Sequence, residues 1–414
     1  MFSPTINHRM TSTIYFDNNA STQIDPQVVD SMQPWNDGTF YGNPHAGHYM
    51  GDVSRLAIAK ARSQVLDVFG MSEAEWKCVF TSGASESNNM ALKGLVFNMI
   101  RKRKESHERI VIATTQVEHS TIDKCIDWLS EMFNVHVIKL PVDSTGTVKD
   151  VERIFDSVPH IDILSCIHCV AETGTIQPIL EIGTLFKNKF PDSVFHCDAS
   201  QSVGKIEFEV MSSLQNVVDM ITIAGHKFHG PKGSGALIVR SSITDRIDPL
   251  IHGAGQEFGL RGGTENVANI VGLGTACEIA LKACRQSSIG TTPMQVLWDA
   301  IQSELREGKL DFRLNSTGDM QTPYTLNFSV KGMNGPGIVS TLGNQNGAHV
   351  CFSAGSACHS RGEPTPSKVL TAMGLNKDYA SAAVRVSLTR GISDETILEG
   401  GKLIGSHIRE YVGS

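Results

Sequence analysis

The sequence predicts an α/β fold in which a mostly parallel sheet is covered by helices. Between about residue 53 and residue 280, apolar strand-like runs alternate with stretches of helical periodicity. Several of these runs are apolar throughout, as strands are when both faces of a parallel sheet are covered. Regular alternation of the two kinds of element is typical of an α/β domain.

Each predicted strand is a short apolar run, and helical patterns such as residues 54–70 and 178–190 lie among them. In chain order the predicted strands are residues 77–82, 109–115, 134–140, 161–170, 193–199, 218–225 and 235–240.

A polar segment at residues 285–293 ends this alternation, and a helix, a strand and further mixed elements follow it. We therefore predict a large domain over residues 31–284 and a smaller α+β C-terminal domain over residues 285–414. Residues 1–30 are predicted to form an N-terminal segment that packs with the smaller domain.

Composition excludes several classes of protein. Hydrophobic residues make up 40% of the chain and charged residues 19%, as expected of a globular protein. The formal net charge of -7 argues against nucleic acid as a partner. We expect no membrane-spanning stretch and no secretory signal, and therefore a cytoplasmic protein.

The nine cysteines are predicted to be thiols, because disulfides are rare in reducing compartments. "CIHC" at residues 166–169 has a redox or zinc spacing, but it lies in an apolar strand-like run without a second such pair. Core packing is the preferred interpretation, and no metal site is predicted. Cys358 differs, since it stands among small residues in "SAGSACHS" (353–360).

Three motifs in the α/β region suggest a binding site. In "VFTSGASESNN" (79–89) a strand, a Gly-Ala-Ser turn and a helix start make a possible anion cradle, to which Ser85 can add a hydroxyl. Asp198 follows a strand, at the sheet edge where ligands bind. Taken singly, a plain turn with a capping serine is the preferred interpretation of the first motif, and a helix N-cap is at least as common an explanation of the second.

The third motif is a lysine between an apolar strand and a glycine-rich turn, in "ITIAGHKFHGPKGSGALIV" (221–239). A partly buried lysine loses its proton more easily and can form a Schiff base. An ordinary exposed turn lysine is the alternative, and spacing alone does not choose between Lys227 and Lys232. A phosphate cradle, an acid for a ring nitrogen and a Schiff-base lysine are together what pyridoxal phosphate requires.

With these motifs, the chain resembles the pyridoxal-phosphate-dependent cysteine desulfurases and selenocysteine lyases of the class V aminotransferase group, which have the type I fold. The resemblance extends over nearly the whole sequence. Its matching segments are residues 15–22, 41–44, 79–89, 117–121, 198–205, 225–237, 259–266, 355–360 and 384–391.

The resemblance implies roles around the cofactor ring. Lys227 would carry the cofactor, and Asp198 would bind its pyridine nitrogen. Gln201 would approach the ring hydroxyl. His119 would stack on the ring and assist proton transfer, although a lone histidine there is more often a cap.

It also implies roles around the cofactor phosphate and the substrate. Ala84, Ser85 and His226 would hold the phosphate. Thr264 would reach that phosphate from a second copy, which makes the enzyme a homodimer. Arg385 would clamp the substrate carboxylate, although on an alternating strand its simpler interpretation is a surface charge.

The resemblance implies removal of sulfur or selenium from L-cysteine or L-selenocysteine to give L-alanine. Cys358 would attack the substrate sulfur and take a persulfide, or assist the release of selenium, and an acceptor protein is possible. A thiolate is the useful nucleophile for this step. A chance thiol on a surface loop is the alternative for Cys358.

Two positions depart from the family pattern. Ala171 stands where relatives usually carry an Asn that helps hold the ring hydroxyl and the substrate carboxylate, a hydrogen bond worth about 1 kcal/mol. Ala224 replaces a phosphate-binding Ser of many desulfurases, and "CHS" at 358–360 is closer to selenocysteine lyases. The pattern therefore favours that branch. An aminotransferase and a weakly active, partner-binding paralogue remain as alternatives.

Overall fold

A computed structural model describes residues 13–102, 109–286, 292–343, 349–354 and 366–413 of the chain. Within these residues the strands, in chain order, are β1 (Thr13–Tyr15), β2 (Trp76–Thr81), β3 (Ile110–Thr115), β4 (Val135–Leu140), β5 (Ile163–Ile167), β6 (Val194–Asp198), β7 (Met220–Ala224), β8 (Gly235–Arg240), β9 (Phe312–Leu314), β10 (Thr325–Val330), β11 (His349–Cys351), β12 (Ser353–Ala354) and β13 (Ala383–Ser387).

The α-helices of the same part of the chain are α1 (Pro26–Asn36), α2 (Tyr49–Asp67), α3 (Ala84–Lys102), α4 (Ser120–Met132), α5 (Val151–Ser157), α6 (Ile179–Lys189), α7 (Phe208–Ser213), α8 (Val267–Gln286), α9 (Pro293–Glu307), α10 (Gly335–Gly343), α11 (Lys368–Ala372), α12 (Lys377–Ala380) and α13 (Asp394–Gly413). Short 3₁₀ turns lie at Leu214–Asn216, Gly225–Lys227, Ser241–Arg246 and Glu257–Gly259.

The large sheet has seven strands in the order β2-β8-β7-β6-β5-β3-β4. Its neighbouring strands are parallel except where β8 pairs antiparallel with β2 and β7. All seven predicted strands are present, and the predicted mostly parallel α/β sheet is confirmed.

Both faces of this sheet are covered, which explains why its strands are apolar throughout. On β5, Ile163 belongs to one buried cluster with α3 and α4, while Leu164 belongs to another with α2 and α6. Successive side chains of a strand point to opposite faces, so each strand contributes to two cores.

A second sheet has the strand order β12-β13-β10-β9, and its described pairs are antiparallel. It packs in a third apolar cluster with α9 and α13. These elements have the α+β composition predicted for the C-terminal region.

The N-terminal residues contact both regions. β1 pairs with β11, and Phe16 is fully buried in the C-terminal cluster, whereas Val28 on α1 is buried in a cluster of the large sheet. The domain boundaries at residues 30 and 284 stay predictions.

The expectation that no stretch of the chain is long and apolar enough to span a membrane is wrong. In the described part of the chain one helix, α8, is long and apolar enough to cross a membrane by length and composition. Core helices have the same composition, and α8 packs against α1 and α2.

The cysteines of the described residues are free thiols. Cys166 and Cys169 are buried in the same apolar cluster, in agreement with the core interpretation of the "CIHC" pair.

Candidate active site

The predicted site residues follow neighbouring strands of the large sheet. Asp198 ends β6, Lys227 closes the 3₁₀ turn after β7, and His119 lies between β3 and α4. The Gly83 turn links β2 to α3. Because these strands are mutually parallel, their carboxyl ends lie at one edge, where open α/β sheets bind ligands.

Asp198 is buried and held by three donors. Its Oδ2 accepts from Asn88 Nδ2 at 2.8 Å, and its Oδ1 accepts from the backbone N–H and the hydroxyl of Ser200 at 3.0 and 2.5 Å. Only 3% of the residue is exposed. The bonds orient an acceptor-only carboxylate, as pairing with a protonated ring nitrogen requires.

Lys227 is the lysine that the fold brings among these residues, whereas Lys232 is exposed. Its ammonium donates to the carbonyl oxygens of Asn19 at 2.7 Å and Ala20 at 3.0 Å. Burial and the nearby charge of Arg385 lower the pKa of Lys227 to about 8. The amine is thus partly neutral near physiological pH, as a nucleophile must be.

His119 caps the first turn of α4. Its Nδ1 accepts from the backbone N–H of Thr121 at 3.2 Å, so the ring proton of the neutral imidazole belongs on Nε2. The side chain of His119 is exposed on one side, but the protein atoms around it still lower the pKa of the imidazole by desolvation. The positive charge of Lys227 also lowers this pKa. The negative charge of Asp198 raises the pKa of His119, so the charges of both Asp198 and Lys227 act on the imidazole.

The Gly83 turn has the backbone arrangement that an anion cradle requires. Gly83 has a φ of +145°, and a side chain there would meet open space. Ala84 and the exposed Ser85 begin the 19-residue helix α3, whose first N–H groups have no partners within the helix. His226 lies after β7, and burial together with Lys227 lowers its pKa to about 4.

Arg385 is buried on β13, with 5% of its surface exposed, so the surface-charge interpretation is wrong. Its Nη2 donates to Asp17 Oδ1 at 2.8 Å and to Ser353 Oγ at 3.1 Å, and its Nη1 reaches the Ala171 carbonyl at 3.4 Å. Its Nε has no partner among the described residues. A buried, unpaired donor on a guanidinium suits a carboxylate ligand.

Gln201 is buried in a network that sequence reasoning missed. Its Nε2 donates to the Asn19 carbonyl at 2.9 Å, and its Oε1 accepts from Lys205 Nζ at 2.5 Å. Lys205 also donates to Asn19 Oδ1 at 2.8 Å. Asn19 and Lys205 lie in the family-like segments 15–22 and 198–205, and that was the available signal.

Two predicted residues are not brought to this edge by the described chain. Thr264 is exposed and lines a separate hollow together with Trp35, Tyr41 and Asn43. Cys358 lies outside the described residues. β12 ends four residues before it, and there Ser353 contacts Asp17 and Arg385.

The two positions that depart from the family pattern both lie close to the site. The Ala171 carbonyl accepts from Asn19 Nδ2 at 3.0 Å, and the carbonyl of Asn19 in turn accepts from Lys227. Ala224 ends β7 and is fully buried.

These residues fit pyridoxal phosphate. The cradle at Gly83, the oriented carboxylate of Asp198 and the low-pKa amine of Lys227 match its phosphate, ring nitrogen and aldehyde. A metal has no comparable set of ligands in the described residues.

Comparisons with known proteins identify the family of the chain. The model of the family "Aminotransferase class-V" matches residues 14–398. A cysteine desulfurase of Nostoc sp. (strain PCC 7120 / SAG 25.82 / UTEX 2576) is 37% identical over 387 residues, covering 93% of this chain and 90% of that protein. A mitosomal cysteine desulfurase of Trachipleistophora hominis is 35% identical over 410 residues, covering 97% of this chain and 87% of that protein.

Solved structures share the fold. A NifS-like protein has a TM-score of 0.80 and 33% identity, with 96% of this chain and 99% of that chain covered. The structure described as "SspA in complex with cysteine" has a TM-score of 0.73 and 34% identity, with 91% and 99% covered. The predicted type I fold is thereby confirmed, and the chain belongs to the class V aminotransferase family.

Proposed function

We propose that this protein is a pyridoxal-phosphate-dependent cysteine desulfurase, which removes sulfur from L-cysteine and leaves L-alanine. The observation that carries the proposal is the meeting of Lys227, Asp198 and the Gly83 turn at one sheet edge, with Arg385 buried beside Asp17. Cysteine desulfurases that are 35–37% identical over most of the chain support it.

When bound, pyridoxal phosphate withdraws electrons from the α-carbon of an amino acid. Lys227 would hold the cofactor, and its free amine would take the proton from the α-carbon of the substrate. Its pKa of about 8 leaves a useful fraction of free amine at neutral pH. Asp198 would orient and stabilise the ring nitrogen, and His119 would assist proton transfer as a hydrogen-bond donor through its Nε2–H.

Arg385 binds the substrate carboxylate through its Nε, which has no partner among the described residues, because Asp17 and Ser353 already engage Nη2. The Cys358 thiolate forms an S–S bond with the substrate sulfur as the carbon–sulfur bond breaks. The electron pair of the broken bond stays with the alanine portion, which is then protonated. The persulfide sulfur passes to a thiol acceptor.

We also propose a homodimer in which Thr264 of one copy reaches the phosphate site of the other. The exposure of Thr264 in a hollow apart from Lys227 supports this arrangement. Free thiols in the described residues suit a reducing, cytoplasmic location.

The cofactor assignment is tested by absorbance and by alanine release. The purified protein is expected to be yellow and to form alanine from cysteine without a keto-acid acceptor. Lys227→Ala should lose both properties, while Lys232→Ala, the matched control, should keep the absorbance. A colourless wild type that cannot be reconstituted contradicts the proposal, and a strict need for a keto acid favours an aminotransferase.

The choice between sulfur and selenium is tested by turnover of cysteine and selenocysteine side by side. The sequence "CHS" at residues 358–360 makes selenocysteine lyase a second candidate. Cys358→Ala should abolish most cysteine turnover, and Cys284→Ser, which removes another partly exposed thiol, should not. Near wild-type cysteine turnover in Cys358→Ala excludes the nucleophile role. Robust release of sulfide or selenide by the wild-type protein excludes a weakly active paralogue.

A further inference from the structure

We propose that Lys205 is a positioning residue, which fixes the side-chain amide of Gln201 so that its nitrogen, and not its oxygen, faces the ring hydroxyl of the cofactor. This proposal rests on the pyridoxal-phosphate function proposed above. It assigns a task to a partly buried lysine that the reaction itself does not use.

The orientation of the Gln201 amide follows from the donor that it meets. When Lys205 is protonated, its ammonium has three donors and no acceptor, and the Gln201 atom 2.5 Å from its Nζ is then the oxygen. The amide nitrogen is then on the other side, where it donates to the Asn19 carbonyl at 2.9 Å. Without Lys205, the amide can turn over and present an acceptor instead.

The amide nitrogen has a second N–H to give. Asn19 O is the one acceptor recorded for Gln201 Nε2 among the described residues. The other N–H is left for the negatively charged ring oxygen of the cofactor. A charge-assisted hydrogen bond of this kind is about twice as strong as a neutral one.

Asn19 connects the same network to the reactive amine. Its carbonyl accepts from both Lys227 Nζ, at 2.7 Å, and Gln201 Nε2, and its side-chain oxygen accepts from Lys205 at 2.8 Å. Lys205 therefore holds two of the groups that surround the point where Lys227 and the cofactor join.

The charges around Lys205 argue against a purely structural ion pair. The titratable groups that act on it are Lys227 and Arg385, which repel it, and Cys169, whose buried thiol is neutral. Its recorded partners are two neutral oxygens. Burial, with a smaller effect of these cations, lowers the pKa of Lys205 to about 7. An amine kept in place under these conditions is a candidate for a functional role.

The test uses the cofactor-loaded protein and follows the pH at which its visible absorbance changes, together with the cofactor dissociation constant. That pH midpoint reports the protonation of the nitrogen that joins Lys227 to the cofactor. A donor to the ring oxygen and a nearby cation both disfavour this protonation. Lys205→Met should therefore raise the midpoint by about one pH unit, and weaken cofactor binding about tenfold.

Three further variants separate positioning from a structural or purely electrostatic effect. Lys205→Arg keeps the donors and should stay near wild type, and Lys60→Met, on exposed α2 surface, should change nothing. Gln201→Ala should raise the midpoint in the same direction. In the double variant that combines Lys205→Met with Gln201→Ala, the pH midpoint should stay close to that of Gln201→Ala alone. The reason is that Lys205 acts through Gln201.

An unchanged midpoint in Lys205→Met, or fully additive shifts in the double variant, overturns the proposal. If Lys205→Met does not fold, a Lys205→Arg midpoint shifted as far as that of Gln201→Ala also overturns it, whereas a wild-type midpoint supports it. A wild type that binds no cofactor instead refutes the proposed function, so the two failures are distinguishable.

Discussion

The guanidinium of Arg385 is bound mainly through Nη2, and this leaves its Nε available to donate to an anion. Asp17 and Ser353 engage Nη2, while Nε has no partner among the described residues and Nη1 makes one long contact. The planar guanidinium is thus fixed in orientation and still has two donors to offer. A lysine ammonium would be a point charge that Asp17 could claim entirely.

Lys is therefore not a conservative replacement at residue 385. Arg385→Lys is expected to lower kcat/KM for cysteine by about 10- to 100-fold, mainly through a higher KM, because the charge-assisted hydrogen bond from the oriented Nε is lost. Steady-state kinetics test this, with Arg409→Lys on α13 as the control. Equal kinetics for Arg385→Lys and the wild type would remove Arg385 from the binding site.

The amine of Lys227 also makes a prediction about pH. Burial and Arg385 lower its pKa to about 8 from the model-peptide value of 10.5, and only the neutral amine reacts with an aldehyde. The neutral fraction grows as pH rises through that value. Uptake of pyridoxal phosphate by cofactor-free protein should therefore accelerate up to about pH 8 and then level off. Rates that keep rising towards pH 10 would contradict the lowered pKa.

At the scale of elements, α13 and α9 approach each other through small residues. A Cβ added at Gly401 would lie 2.8 Å from Ala300 Cβ, and one added at Gly405 would lie 2.7 Å from Glu304 Cβ. Real Cβ atoms do not come so close, so the helices would have to separate. This contact supports the sheet that carries Arg385, because both helices pack in the same apolar cluster.

Gly401→Ala should consequently destabilise the protein although alanine is the better helix former. Overpacking costs about 1–3 kcal/mol, and the gain in helix propensity returns about 1 kcal/mol. Gly413→Ala on the same helix, where the added atom meets open space, should be neutral or slightly stabilising. Denaturant unfolding measures both, and a Gly401→Ala protein as stable as Gly413→Ala would contradict the close approach.

Elements were the most predictable level of the structure. The seven strands of the large sheet could be identified because burial on both faces makes them apolar throughout. The helix predicted over 54–70 begins five residues earlier, at Tyr49, because His48 caps it with a side chain that sequence periodicity does not register. The strand predicted over 161–170 ends at Ile167.

The site was predictable where chemistry is local and motif-like, as at Lys227 and Asp198. Asp17, Asn19 and Lys205 were missed because their roles depend on contacts across the chain. Asp17 and Arg385 are 368 positions apart, and Asn19 and Gln201 are 182 apart. Sequence periodicity carries no information about such pairs.

At the scale of the whole molecule, residues 13–25 join the two sheets. β1 pairs with β11, and Asn18 Nδ2 donates to the carbonyl of Ser387. At the turn that contains Lys227, the Thr22 hydroxyl donates to the His226 carbonyl and accepts from the backbone N–H of His229. The proposed cofactor site lies between these attachments, so its occupation should stabilise both regions together.

Removal of the cofactor is accordingly expected to lower the melting temperature. A ligand present at 100 times its dissociation constant stabilises the folded state by about 2.7 kcal/mol. Thermal unfolding of stripped protein with increasing pyridoxal phosphate should show a rising Tm, and pyridoxal without phosphate should raise it less, because the Gly83 cradle stays empty. A Tm independent of pyridoxal phosphate would argue against the site.

The burial of the cysteines has a consequence for self-protection. Burial raises the pKa of each thiol among Cys78, Cys125, Cys166, Cys169, Cys197 and Cys277. Thiols kept in this protonated form are poor nucleophiles. A catalyst that handles reactive sulfur therefore shields these groups from modification by its own product, and sulfur exchange is confined to thiols outside the core.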